Sequence, residues 1–137
     1  MIDIDEPLAS WIILAARLCL AGVFLVSAIH KGVWYRTSLQ EFGNARLRPE
    51  GLFVALTVTL HLFGSLALIG GVYVAEAAFA LAAFTVLATI RVHCFWRMEG
   101  RMRLERSRVA MGNLAIVGGL ILLAAVGPGR FTVLEYL

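Results

Sequence analysis

Four apolar runs, each close to the length needed to cross a bilayer, take up most of this chain, and the loops between alternate runs hold nearly all its positive charge. A stretch of about 20 apolar residues spans the ~30 Å hydrocarbon layer as an α-helix. Only helices and closed barrels satisfy their own backbone groups there. The runs cover about residues 9–29, 52–72, 75–92 and 109–126. None shows the period-2 alternation of a membrane β-strand, so a barrel is not expected. The predicted fold is all-α: one polytopic membrane domain over residues 1–137, a bundle of four transmembrane helices.

The composition supports that reading. At 61% hydrophobic and 15% charged residues, the chain is far from a soluble domain, where roughly a quarter of residues are charged. A bilayer is therefore its first partner. The amino terminus carries Asp3, Asp5 and Glu6 and no basic residue, unlike a signal peptide, so the first span is expected to be retained.

Charge then orients the bundle. The first loop holds Lys31, Arg36, Arg46 and Arg48; the third holds Arg97, Arg101, Arg103, Arg106 and Arg108, with Arg91 at its edge. The other side has only Arg130, and with Arg17 inside the first span this accounts for all 12 basic residues. By the positive-inside rule the two basic loops are cytoplasmic and both termini lie outside, as in a bacterial inner membrane. The net charge of +3 thus has a topological origin, and no nucleic-acid partner is implied. Trp34, Tyr35, Leu39, Phe42 and Leu47 interleave the charges of the first loop, so part of it is expected to lie in the interface as an amphipathic segment. The two cysteines, Cys19 and Cys94, make neither a disulfide framework nor a zinc site.

Few polar residues enter the apolar runs, and any chemistry must use them. Arg17 sits about eight residues into the first span, ~12 Å below the outer surface at 1.5 Å per residue, where an arginine costs roughly 2.5–3.5 kcal/mol to insert. Three readings fit it: snorkelling outward, a structural polar contact, or a ligand-facing role. His61 lies near the midplane in a stripe with Thr57, Gly64 and Ser65. Such small and polar stripes pack helices in membranes, and an imidazole there also suits proton or quinone chemistry. A metal or haem role has no second ligand at suitable spacing. Thr85, Thr89 and His93 share one helix face, and His93 opens the run His93-Cys94-Phe95-Trp96 at the cytoplasmic boundary. Lys31 and Asn113 fall at a similar depth on other spans. Lys31, His93, Phe95, Trp96 and Asn113 are therefore the candidate site, with His93 the candidate proton donor and no metal expected.

These residues resemble a known family. Arg17-Leu18 and the segment from Ser27 to Lys31 resemble the first helix of DoxX/DoxD-type membrane proteins. The run His93 to Trp96 resembles the family's His-x-Phe-Trp element. Asn113-Leu114-Ala115, Gly118-Gly119 and then Gly127-Pro128-Gly129-Arg130-Phe131 resemble its fourth helix and tail. The resemblance implies a four-helix membrane bundle, related to the small subunit type of thiosulfate:quinone oxidoreductase and to membrane partners in oxidative-stress assemblies. The second helix of that family often carries a glutamate about where His61 stands, and the third loop here is more basic than expected. No redox centre is encoded: there is no flavin fingerprint, Fe–S cysteine set or paired haem histidines. Two functions follow as expectations. One is a quinone-associated membrane subunit of a redox-linked complex, in which aromatic walls and one or two donors hold the headgroup. The other is a non-catalytic accessory or scaffold subunit packed against other membrane subunits or copies of itself.

Overall fold

The computed structural model of the protein describes residues 6–92, 95–97 and 99–133, without the side chain of residue 95. Among these the chain is helical throughout its ordered elements and has no strand. Helices α1 (Glu6–Val33), α3 (Glu50–Gly70), α4 (Val74–Arg91) and α5 (Gly100–Val126) are each long and apolar enough to cross a membrane. A shorter α2 (Tyr35–Asn44) follows α1, and a 3-10 turn, Phe95–Arg97, precedes α5. Helix α1 packs along α3 and α4 along α5, while the α3–α4 hairpin joins the two pairs.

The interior is small, with alanines set beside a few leucines and phenylalanines. Ala21, Ala78 and Leu81 are fully buried alongside Leu68 and Leu120. Large side chains point outward instead: Phe63 is 65% exposed, Met111 71% and Leu114 72%. Such a surface is stable only when lipid covers it. Helices that cannot gain by hiding apolar area from water associate through close backbone approach. Gly64 of α3 provides one, since a Cβ there would lie 2.9 Å from Leu81 Cδ1. Gly64→Ala is expected to lower stability by roughly 1–3 kcal/mol through overpacking. Leu81→Val should recover part of that loss in a thermal unfolding series. Equal melting of Gly64→Ala and the parent would refute the close approach.

The hydroxyls inside the spans are satisfied locally. Thr57, Ser65 and Thr85 each donate to the carbonyl four residues earlier (Phe53, His61 and Leu81) at 2.6–2.7 Å. Back-bonding of this kind lets Ser and Thr sit in a helix without a partner from another element.

Two loops differ from their sequence reading. The interfacial segment of the first loop is a full helix, α2, which buries Ser38 and Phe42. Helix α5 starts at Gly100, well before the apolar run, so Arg101, Arg103, Arg106 and Arg108 sit on a helix rather than in a loop. Hydropathy marks where a helix enters lipid; it does not mark where helical hydrogen bonding begins in water.

At the opposite end, Gly71 caps α3 in the left-handed conformation at φ 72°, its N–H donating to Ala67 O. Helix α5 stops at Gly127, whose N–H donates to Leu123 O. The tail then turns back, so that Phe131 meets Trp11 of α1 with ring centroids 4.5 Å apart.

Candidate functional site

Arg17 ties this end of the bundle together. It is wholly buried. Its Nε donates to Leu68 O at 2.7 Å and its Nη2 to Ile69 O at 2.8 Å. Its Nη1 donates to Pro128 O at 2.8 Å and to Phe131 O at 2.6 Å. The carbonyls of Leu68 and Ile69 lie in the last turn of α3, which no helical N–H follows. Of the readings open to Arg17, the geometry is that of a structural polar contact. The fork of donors lets one side chain serve the α3 terminus and the tail at once.

The other end holds a cavity of about 160 Å³ among α1, α2, α3, α4 and α5, whose polar lining is Ser27, Lys31, Glu41, His61, Thr85 and Asn113. Phe24, Phe42 and Phe84 supply aromatic walls. Lys31 comes from the last turn of α1. Its partner is brought by α2: Lys31 Nζ lies 3.1 Å from Glu41 Oε2. The same ammonium lies 5.5 Å from the ring centroid of Phe42, which stacks on Phe53 at 6.4 Å. The buried face of α2 thus decides where the carboxylate goes. Asn113 of α5 donates through Nδ2 to Thr89 Oγ1 at 2.8 Å, a link between α4 and α5 that orients the amide.

His61 lies deepest of these polar groups. It is 5% exposed and held edge-on by Phe24 and Phe84, with ring centroids 5.1 and 4.9 Å away. Neither Nδ1 nor Nε2 has a hydrogen-bond partner. His61 therefore packs in its stripe without a cross-helix hydrogen bond. A neutral imidazole carries one donor and one acceptor, and leaving such groups buried and unpaired costs roughly 1–3 kcal/mol.

The structure therefore brings Lys31 and Asn113 to one cavity and adds His61, Glu41 and Thr85. Glu41 was absent from the sequence reading because its role depends on how α2 folds back. The amphipathic pattern of residues 34–47 was the available signal. Trp96 is half exposed in the 3-10 turn and is not part of the cavity wall. His93 and Cys94, like the side chain of Phe95, lie outside the described residues. Among the described residues no three His, Cys, Asp or Glu side chains cluster as metal ligands would.

The sequence matches one known family and one named relative. The family model for DoxX matches residues 12–94. The chain is 31% identical over 121 residues to the inner membrane protein YqjF of Escherichia coli (strain K12), a match covering 88% of each chain. No solved structure matches.

Proposed function

This chain belongs to the DoxX family, and from that premise we propose that it is an inner-membrane, quinone-binding subunit of a redox-linked complex. The observation that carries the reading is His61, buried with both nitrogens unpartnered, in the wall of a cavity with aromatic sides. A planar ring with carbonyl acceptors fits such a lining, because Lys31, His61 and Asn113 each keep a donor, whereas Thr85 has given its one O–H to Leu81 O and Glu41 only accepts. When bound, a quinone supplies two-electron chemistry coupled to proton uptake.

The residues of this chain bind and orient. Lys31 Nζ retains donors beyond the one given to Glu41. Asn113 holds its second N–H and its carbonyl beside Thr89. His61 holds or accepts a proton at the nitrogen that meets the headgroup. Phe24 and Phe84 exclude water from its faces. Electrons come from a partner bearing its own redox group, which is why the reading is of a subunit. The relative's location in the inner membrane and the basic charge of the two loops support an orientation with the cavity toward the cytoplasm.

Protein purified in mild detergent is expected to retain ubiquinone or menaquinone, measured by organic extraction. Asn113→Leu should lower retention, and so should His93→Ala if the proton donor expected from the sequence serves this site. Quinone-free protein that also fails to bind added quinone in titration refutes the proposal. An accessory role has one supporting feature: α5 is the least buried of the four spans, and a Cβ at Gly112 or Gly118 would meet nothing within 4 Å. Co-purification of a stoichiometric, cofactor-bearing partner from a quinone-free chain would favour it.

A further inference from the structure

We propose that this chain carries a second binding site, for an anionic phospholipid, formed where an apolar groove between α3 and α4 runs into a cationic pocket at the loop end. The groove, about 540 Å³, is lined by Phe53, Leu56, Leu60 and Leu87 and has almost no polar surface. The pocket, about 470 Å³, lies between α2, the end of α4 and the start of α5, and presents Thr37, Gln40, Asn44, Arg91 and Arg106. The two adjoin, because Arg91 and Val92 line both. A molecule filling them has a chain in the bilayer and a hydrogen-bonding head at its surface. Every phospholipid of the facing leaflet has that form.

Charge selects among phospholipids. The one carboxylate in the pocket, Glu41, has its closer oxygen 3.1 Å from Lys31, on the side of the quinone cavity, whereas Arg106 Nη1 stands 4.0 Å from the other oxygen. Arg91 is exposed at the last turn of α4 and has no ion pair among the described residues. Arg91, Arg106 and Glu41 together leave one formal positive charge in the pocket, and Arg91 carries it outside any ion pair among the described residues. Guanidinium binds phosphate through two parallel hydrogen bonds. Thr37, Gln40 and Asn44 offer further donors to its ester oxygens. A neutral quinone ring makes no use of this charge. The proposal is independent of the function proposed for the His61 cavity.

The test uses the full chain in phosphatidylcholine vesicles containing trace phosphatidylglycerol or phosphatidylcholine, spin-labelled on the acyl chain. Phosphatidylglycerol should be motionally restricted with an association constant well above that of phosphatidylcholine. Each arginine should contribute about fivefold, so Arg91→Gln with Arg106→Gln is expected to abolish the selectivity. Arg101→Gln with Arg103→Gln, outside the pocket, should preserve it. Leu87→Trp, which fills the groove, should reduce the restricted fraction of both lipids. Equal restriction of the two lipids by the parent protein overturns the proposal. So does selectivity that survives loss of Arg91 and Arg106, which would mark diffuse attraction to the basic helix. Loss of selectivity on adding inorganic phosphate, at constant ionic strength, would assign the pocket to the free anion and overturn it equally. Each variant is first checked for unchanged thermal unfolding, because Arg91 is exposed but Arg106 is only half-exposed and pairs with Glu41.

Discussion

Arg17→Leu is expected to prevent recovery of a monodisperse folded protein, or to lower its melting temperature by about 10 °C or more. The substitution suits the bilayer better than the arginine it replaces, so insertion alone predicts a gain. The structure predicts the reverse. Four carbonyls, those of Leu68, Ile69, Pro128 and Phe131, receive their hydrogen bonds from this one guanidinium. Each buried acceptor left without a donor costs roughly 1–3 kcal/mol, which places the loss on the order of 5 kcal/mol after some rescue by interfacial water. Arg17→Lys should fall between, because a single ammonium cannot span α3 and the tail as the planar fork does. The same contact is reached from its other side at Gly71, where a Cβ would stand 2.6 Å from Arg17 Nη2 in a backbone at φ 72°. Gly71→Ala should therefore reproduce a large part of the defect with the arginine still present. Near-parental melting of Arg17→Leu would remove the clamp from the account of stability.

His61→Leu is expected to do the opposite, leaving stability unchanged or raised by about 1 kcal/mol while quinone retention falls about tenfold. The imidazole makes no hydrogen bond, so its removal breaks none, and an apolar side chain suits the space between Phe24 and Phe84 better. A side chain whose loss stabilises the fold is retained for another purpose. His61→Gln keeps a donor and an acceptor but cannot take up a proton. It should retain quinone, and so separates hydrogen bonding from proton transfer. Thermal unfolding and quinone extraction on the same preparations give both readouts. A His61→Leu protein that melts well below the parent while holding the same quinone would reverse the assignment and make the histidine structural.

Much of this molecule was legible before any coordinates, for a definite reason. The bilayer is an external constraint that acts on each segment separately. Run length and charge therefore report the four crossings and the division of basic residues directly. Gly127-Pro128-Gly129 marked the end of α5 because no helix readily continues through it. Lys31 and Asn113 could be placed at one depth by counting residues at 1.5 Å each, and they line one cavity.

What counting could not supply was rotation about each helix axis and the path of the chain between spans. The partners of Arg17 lie 51 to 114 positions away, two of them on a tail whose return no local pattern encodes. His61 faces the cavity, while Trp96, only five residues past Arg91, does not belong to it. Glu41 reaches Lys31 because α2 folds back under the bundle. Sequence by itself determined that this chain is a four-helix membrane protein with a basic end, because hydropathy and charge are properties of segments. Tertiary structure decided which polar groups are satisfied and which are left open, because a hydrogen bond depends on ångström distances between elements that the chain brings together only on folding.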